Sequence, residues 1–248
     1  MNNRALILAA GRGSRMKENT KLRPKCFTSL DGKTLLEWQI GALKSGEIKD
    51  ISVVTGYRSE LFSGLYKKFH NPRWEKTNMV SSLFCADEFN GDTIVSYSDI
   101  VYKNDHIKKL CLSKSDITIT ADKNWLDLWK LRFFDPLDDA ETFQCVGNKL
   151  TGIGDRAKDI SEIEAQYMGL LKLSSSGWQT MYKTFNKLSS KVKDKLDMTS
   201  MLKLLIQNNI EINIVFVSGG WCEADTKNDI LVYENMLSEK SNWLHNWK

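Results

Sequence analysis

Through residue 122 the chain alternates apolar, strand-like runs with segments of helical period, and this alternation is the feature that most restricts the fold. We predict buried strands at 5–10, 51–57, 93–99 and 116–122, and helices at 34–46, 58–69, 81–87 and about 105–112. Strands and helices in this order favour a parallel sheet with helices on both faces. The sequence therefore predicts an α/β fold with a doubly wound, mixed but mostly parallel sheet.

The alternation stops after residue 122. Residues 123–163 are rich in Trp, Asp and Phe, and we expect irregular structure with short strands there. A strand at 167–174, helices at about 176–189 and 198–208, a strand at 212–218 and a closing helix follow. Thr226 and Asp229 have the spacing of a capping box at the start of that helix. With three prolines and no low-complexity linker, we predict one domain, 1–248, with parts at about 1–122, 123–225 and 226–248.

Composition excludes several classes of protein. The net charge of +4 comes from interspersed acids and bases, so it does not indicate a nucleic-acid partner. No apolar run approaches the roughly 18 residues that span a bilayer, and the N-terminus lacks the pattern of a signal peptide. The five cysteines are scattered, with no C-x-x-C pair. We therefore predict reduced thiols in a cytoplasmic protein without a disulfide framework or zinc site.

The loop after the first strand has the composition of an anion-binding loop. Gly11 and Gly13 allow close backbone approach to a ligand, and Arg15 and Lys25 add positive charge. A plain tight turn with solvated basic residues is the alternative. Met16 stands where a dinucleotide-binding fingerprint needs a third glycine, and the G-K-[ST] of a P-loop is absent.

The sequence LAAGRGSRM at 8–16, followed by RPK at 23–25, resembles the signature of the nucleotidyltransferases that activate sugar phosphates and other small phosphates. The resemblance implies a Rossmann-like sheet of the nucleotide-diphospho-sugar transferase type, with a small acceptor-binding insertion. It also implies that 1–122 binds the nucleoside triphosphate and 123–225 the acceptor. Arg15 would hold the β and γ phosphates and Lys25 the α phosphate. The other implied nucleotide-binding residues are Leu8, Ala9, Ala10, Gly11, Gly13, Ser14, Asn78 and Ser98.

Such an enzyme needs a divalent cation, and two aspartates are candidate ligands. Asp99 follows the apolar run TIVSYS, and Asp225 follows the predicted strand 212–218 within WCEAD. Both lie at the same edge of the predicted sheet, although each taken alone could be a helix cap. The resemblance implies that the two together hold Mg²⁺, which prefers oxygen ligands.

Four further segments narrow the resemblance to the small-acceptor cytidylyltransferases, which attach CMP to phosphocholine, 2-aminoethylphosphonate or similar short phosphates. These segments are KTNMVSSLFCADEF, SYSDIVY, EAQYMGLLKLS and GGWCEADTKND. They imply CTP as co-substrate, pyrophosphate release, a possible homodimer and a role in cell-surface polysaccharide biosynthesis. Ser98 precedes Asp99 where the sugar enzymes usually carry Gly. The alternatives are a sugar-1-phosphate nucleotidyltransferase using UTP, dTTP or GTP, and a non-catalytic nucleotide-sensing domain.

Aromatic and charged residues of the second half are the candidate acceptor site. Trp125 and Trp129 are four apart, and their ring faces suit an alkylammonium group, although core packing is the alternative. Arg132 could bind the acceptor's phosphate or phosphonate by a bidentate pair. Asp155 stands where the aminophosphonate enzymes tend to place a lysine, which leaves phosphocholine, a phosphorylated amide and a polyol open. The remaining candidates are Arg156, Tyr167, Trp221 and Glu223.

Overall fold

The structure, a computed structural model, describes residues 3–62, 64, 66–239 and 242–248, and for residues 17–19 the backbone only. Its strands are β1 (Asn3–Ala9), β2 (Ser29–Leu30), β3 (Lys33–Thr34), β4 (Asp50–Thr55), β5 (Lys67–His70), β6 (Asp92–Tyr97), β7 (Ile100–Tyr102), β8 (Ile117–Asp122), β9 (Glu141–Val146), β10 (Lys149–Arg156), β11 (Gln166–Leu173), β12 (Asn213–Val217) and β13 (Trp221–Glu223). Its α-helices are α1 (Leu35–Ser45), α2 (Met79–Leu83), α3 (Asn104–Leu112), α4 (Trp125–Arg132), α5 (Ser175–Asn186), α6 (Ser190–Lys195), α7 (Met198–Gln207) and α8 (Lys227–Glu239).

The described strands form one large sheet in the order β5-β4-β1-β6-β11-β8-β12-β10-β9. β10 and β11 run opposite to the other strands of this sheet, which confirms the mixed, mostly parallel α/β sheet. β1 is flanked on both sides by parallel neighbours, β4 and β6, and its residues Arg4–Ala9 are buried. A strand enclosed in this way needs apolar residues at successive positions rather than at alternate ones. This explains the continuous run at 5–10.

Two small features outside the large sheet fix the region around Asp225. β13 pairs with β7 in a separate two-stranded antiparallel sheet and not with the large sheet. Thr226 and Asp229 form the predicted capping box, because each backbone amide donates to the other's side chain. Asp229 Oδ2 also accepts from the Asp225 amide at 2.8 Å. The start of α8 therefore holds the backbone of Asp225 directly.

The C-terminal segment 242–248 packs against the same region. The Gly220 amide donates to the Leu244 carbonyl at 2.8 Å. Trp243 lies against Tyr233 of α8, and the Tyr233 hydroxyl donates to the Glu223 carbonyl at 2.6 Å. β13 is thus held by α8 and by this last segment.

Two element predictions were wrong. Residues 58–69 were expected to be helical, but they contain a short 3-10 helix, Ser59–Phe62, and the edge strand β5; residues 63 and 65 lie outside the described residues. The segment 123–163 contains the helix α4 as well as the strands β9 and β10. In α4 the side chains of Leu128 and Trp129 are buried, so the helix is stabilised by packing that a weak apolar period does not reveal.

The predicted helix at 81–87 ends early, because α2 stops at Leu83. The division into parts at residues 122 and 225 stays a prediction, although strands from both sides of residue 122 share the large sheet. Within the ranges that the structure describes, no helix is both long and apolar enough to cross a bilayer.

Candidate active site

The loop after β1 borders a cavity of about 280 Å³ at the carboxyl ends of β1 and β6. Gly13 has a φ of +73°, and a Cβ built there would lie 2.6 Å from Lys25 Cβ. Only glycine allows the loop to pass so close to the Lys25 side chain. The lining residues are Leu8, Ala10, Gly11, Gly13, Ser14, Arg15, Lys25, Trp74, Thr77, Asn78, Met79, Ser82, Ser98 and Asp99. We call this space the nucleotide cavity.

All but one of the residues predicted to bind nucleotide line this cavity. The exception is Ala9, whose side chain is in the core. Asn78 does line it, but its Oδ1 accepts from the Met79 amide and its Nδ2 donates to the Lys195 carbonyl at 3.1 Å. The side chain therefore caps α2 and links it to α6, so both of its polar atoms already have partners within the protein.

Trp74, in the wall of this cavity, was not among the residues predicted from the sequence. Trp74 packs against Tyr57 with ring centroids 5.2 Å apart. A Cβ on Gly56 would lie 2.4 Å from Trp74 Cβ, so Gly56 makes room for it. In the sequence, Gly56 directly after β4 was the one indication that a large side chain packs closely at this point.

Three carboxylates converge at the border of the nucleotide cavity. Asp99, Glu223 and Asp225 each offer an oxygen, and these oxygens all lie within 4.8 Å of one another. Asp99 follows β6, while Glu223 ends β13 and Asp225 follows it. The structure thus brings together the two predicted metal ligands and adds Glu223, which was predicted to bind acceptor. We call these three residues the carboxylate group.

Lys25 lies within this group. Its Nζ is 2.9 Å from Asp99 Oδ2 and 2.6 Å from Asp225 Oδ1. Burial alone would lower the pKa of Lys25, but Asp99 and Asp225 outweigh that effect and raise it. Arg15 reaches the same carboxylate, with its guanidinium 2.8 Å from Asp225 Oδ1, although its side chain is mostly exposed.

Arg132 approaches the carboxylate group from the protein interior. Its side chain is fully buried, and it lies 3.0 Å from Glu223 Oε2 and 2.9 Å from Asp225 Oδ2. The expectation that Arg132 binds the acceptor's anion is therefore corrected, because its charge is committed to protein carboxylates. The sequence could not show this, since Arg132 and Glu223 are 91 positions apart.

The pKa values of the carboxylates follow from this packing. Burial and the neighbouring Asp225 raise the pKa of Glu223 to about 7, against the opposing effect of Arg132. For Asp225, burial raises the pKa, but Lys25, Arg15 and Arg132 together lower it. The three neighbouring cations therefore favour the ionised form of Asp225.

The carboxylate group has the donor chemistry that Mg²⁺ requires. Its ligand atoms are hard carboxylate oxygens, and Asp99 Oδ1 is buried with no hydrogen-bond partner among the described residues. A buried carboxylate oxygen without a partner is costly unless something else satisfies it. Because it combines hard oxygen ligands with this unpartnered oxygen, the carboxylate group fits a divalent cation.

A second cavity, of about 180 Å³, lies on the other side of the carboxylate group and shares Arg15 with the first. Its wall combines aromatic rings, acidic groups and small polar side chains. The Trp129 indole N–H is buried and without a hydrogen-bond partner among the described residues. The lining residues are Arg15, Tyr97, Trp129, Asp139, Glu141, Thr142, Phe143, Ile153, Gln166, Tyr167, Thr199, Glu223 and Asp225. We call this space the acceptor cavity.

The structure places Trp129, Tyr167 and Glu223 in this wall, whereas three other predicted acceptor-binding residues do not line the cavity. Trp125 is in the core, against Trp129. Trp221 is buried and donates from its indole nitrogen to Asp122 Oδ2 at 2.8 Å. Arg156 is exposed at the end of β10 and lines no part of the cavity. For both tryptophans the core-packing alternative is correct.

Removing Arg132 should destabilise the fold. In Arg132→Met, Glu223, Asp225 and Asp229 lose the buried cation that faces them. Breaking a buried ion pair from one side costs about 3–5 kcal/mol, which urea unfolding would measure. Arg156→Met is the matched control, because exposed positions usually change stability by less than about 0.5 kcal/mol. Equal stabilities for the two variants would contradict the interior role of Arg132.

Comparison with known proteins agrees with this geometry. The model of the MobA-like NTP transferase domain family matches residues 5–141. The chain is 37% identical to the CTP:phosphoglutamine cytidylyltransferase of Campylobacter jejuni over 92% of this chain and 98% of that protein. It is 34% identical to the 2-aminoethylphosphonate cytidylyltransferase of Lancefieldella rimae, over 42% of this chain and 45% of that one.

Solved structures show the same fold. An inositol-1-phosphate CTP transferase from T. maritima superposes with a TM-score of 0.74 at 20% identity, covering 98% of this chain and 97% of that one. At this identity the likeness concerns the fold alone. Taken with the family match and the full-length relative, it leads to one conclusion: the chain belongs to the MobA-like NTP transferase family and is a nucleotidyltransferase of the cytidylyltransferase type.

Proposed function

We propose that this protein transfers CMP from CTP to a small phosphorylated acceptor and releases pyrophosphate, with Mg²⁺ held by the carboxylate group. The observation that carries the proposal is the position of Lys25, Asp99 and Asp225 at the border of two adjacent cavities. A reaction between two phosphates requires both substrates to meet where cationic groups can stabilise their charge. At the border between the cavities, Lys25, Arg15 and a cation held by the carboxylate group would do so.

The glycine-rich loop binds the triphosphate. Gly11, Gly13 and Ser14 line the nucleotide cavity, and their backbone can approach phosphate oxygens closely. Arg15 belongs to both cavities. Arg15 is therefore placed to hold the leaving pyrophosphate. Trp74, in the wall of the nucleotide cavity, provides an aromatic surface for the base.

In the reaction an oxygen of the acceptor's phosphate attacks the α-phosphorus of CTP. One P–O bond forms, the bond to the β-phosphate bridge breaks, and pyrophosphate leaves with that electron pair. The attacking oxygen is already anionic near neutral pH, so the step needs no strong general base. Catalysis then depends on positioning and on stabilising charge at the α-phosphorus, which is the task of Lys25.

Asp99, Asp225 and Glu223 would hold the divalent cation. When bound, the ion supplies Lewis-acid neutralisation of phosphate charge. From the protein interior, Arg132 holds the side chains of Glu223 and Asp225 in position through its two ion pairs. The protein thus fixes the ligand positions before the substrates arrive.

The acceptor cavity favours a head group with an ammonium and further polar atoms. Asp139 and Glu141 supply negative charge there, and Thr142, Gln166 and Thr199 supply polar groups. A trimethylammonium neither donates nor accepts conventional hydrogen bonds, so it would make little use of these polar groups. Among the acceptors named for the relatives, phosphoglutamine carries the best matching set of polar groups, and the similarity to its enzyme extends over nearly the whole chain.

An assay of pyrophosphate release tests this function. CTP, UTP, dTTP and GTP are each combined with phosphoglutamine, phosphocholine, 2-aminoethylphosphonate and glucose 1-phosphate, and product masses are recorded. We expect CTP with phosphoglutamine to give the highest kcat/KM. Preference for glucose 1-phosphate with another nucleotide would identify the sugar-phosphate alternative, and nucleotide binding without any pyrophosphate release would identify a sensing domain.

Replacing Glu141 should weaken acceptor binding without affecting CTP. Glu141 lines the acceptor cavity and not the nucleotide cavity. In Glu141→Gln we expect the KM for the acceptor to rise by about tenfold, the scale of one charged hydrogen bond, while the KM for CTP stays constant. Glu239→Gln is the control. Equal changes in both KM values would argue against an acceptor-specific role.

A further inference from the structure

A separate basic cavity lies beyond the carboxyl ends of β8 and β12. We call it the α3 cavity; it has a volume of about 230 Å³. Its lining residues are Lys103, Asp105, His106, Lys109, Lys123, Phe216, Val217, Ser218, Gly219 and Gly220. None of them lines the nucleotide or the acceptor cavity. β8 and β12 are parallel neighbours, and the edge beyond the carboxyl ends of parallel strands is where α/β sheets bind ligands.

The charge of the α3 cavity is positive. Lys103, Lys109 and Lys123 line it, while Asp105 is its only acidic lining residue within the described part of the chain. Lys103 is also the residue before the first turn of α3, and the amino end of a helix carries partial positive charge. This excess of positive charge favours an anionic ligand in the α3 cavity.

His106 adds an uncommitted polar side chain to this basic surface. It is only 5% exposed and lines the cavity. Its Nδ1 is buried and has no hydrogen-bond partner among the described residues. Burial, with Lys109 and Lys103 nearby, lowers the pKa of His106 to about 4, so the imidazole is neutral at physiological pH and has one N–H to donate.

Gly220 keeps the space next to His106 open. A Cβ at Gly220 would lie 3.3 Å from His106 Nε2 and 3.0 Å from Lys103 Cδ. Gly220 also has a φ of +70°, which glycine adopts most readily. A larger residue would press on both the imidazole and the lysine side chain that define the cavity.

We propose that the α3 cavity is a second binding site, for a phosphate-bearing small anion, held by Lys103, Lys123 and His106. A phosphate dianion accepts several hydrogen bonds and attracts ammonium groups, so it satisfies both the charge and the free imidazole. The anion could be free phosphate, pyrophosphate or a phosphate monoester. These share the same recognition chemistry.

Histidine ring NMR tests the site directly. The chain has three histidines, so labelled imidazoles give few signals, and His106→Gln assigns the one of interest. We expect inorganic phosphate, added to the full chain at constant ionic strength, to shift the His106 signal saturably. In Lys103→Gln/Lys123→Gln the apparent Kd should rise by at least about tenfold, the scale of losing charged hydrogen bonds.

Two controls separate this site from the catalytic one. Lys44→Gln/Lys191→Gln removes the same charge from exposed positions outside the cavity and should leave the phosphate Kd unchanged. Lys25→Gln, in the nucleotide cavity, should also leave the His106 shift unchanged. Parallel titrations with pyrophosphate and phosphocholine identify which source binds most tightly.

The proposal is overturned if phosphate gives no saturable shift of His106, or if the Lys103→Gln/Lys123→Gln variant responds as the unsubstituted chain does. It is also overturned if potassium chloride alone reproduces the shift, since that result indicates screening rather than binding. Because the readout is binding at His106, a failure here leaves the proposed transferase activity untouched.

Discussion

Lys25→Ala should lower kcat by at least about 10²-fold, the scale of removing one preorganised group that stabilises developing charge. Lys25 Nζ lies between Asp99 and Asp225, and the side chain is almost fully buried. Among the residues that the structure describes, no other lysine lines either cavity, so in the proposed reaction Lys25 supplies this charge at the α-phosphorus. Initial rates of pyrophosphate release at saturating CTP and acceptor measure the effect.

Two further variants make the Lys25 result specific. Lys25→Met keeps most of the side-chain volume against Gly13 and should lose activity as Lys25→Ala does. Lys44→Ala, at an exposed position of α1, should behave as the unsubstituted chain. A folded Lys25→Met protein with unchanged kcat would remove Lys25 from the catalytic machinery.

Asp225→Asn should abolish most of the Mg²⁺-dependent activity, again by at least about 10²-fold. Asp225 accepts contacts from Lys25, Arg15 and Arg132 at 2.6–2.9 Å. The substitution removes a hard anionic ligand and turns one oxygen into a donor that faces other donors. Rates recorded across a MgCl₂ titration would show both a lower maximum and a higher Mg²⁺ requirement.

The Asp225 result needs a control for folding, because Arg132 loses part of its compensation in the same variant. Thermal unfolding of Asp225→Asn reports that loss separately from the rate. Asp159→Asn, an exposed aspartate in the loop before β11, changes charge equally and should change neither quantity. If Asp225→Asn keeps the Mg²⁺ dependence of the unsubstituted chain, Asp225 is not a metal ligand.

The sequence predicted best those parts of the protein in which a local pattern has one structural solution. Continuous apolar runs identified β1, β4, β6 and β8, because a strand buried on both faces leaves no other residue choice. For the loop at 8–16, by contrast, the spacing of glycines and basic residues also fits a plain tight turn, and its predicted role in binding nucleotide came from the family resemblance. The strand ends predicted that Asp99 and Asp225 share one edge of the sheet, but their predicted role as metal ligands came from the resemblance, since each alone could be a helix cap.

The prediction failed where residue type alone does not tell burial from exposure. Trp125 and Trp129 are four positions apart, yet only Trp129 reaches the acceptor cavity. Arg132 was assigned to the acceptor because a guanidinium can bind a phosphate or phosphonate by a bidentate pair. Its real partners, Glu223 and Asp225, are 91 and 93 positions away, and no short-range pattern records such a distance.

The contact between Lys25 and Asp225 joins residues 200 positions apart. During synthesis on the ribosome, the glycine-rich loop and Lys25 are therefore made long before their carboxylate partner Asp225. Because β13 is also held by the segment 242–248, the geometry around Glu223 depends on residues made after Asp225. A chain that has not yet reached β13 would therefore carry the glycine-rich loop without Glu223 and Asp225 of the carboxylate group.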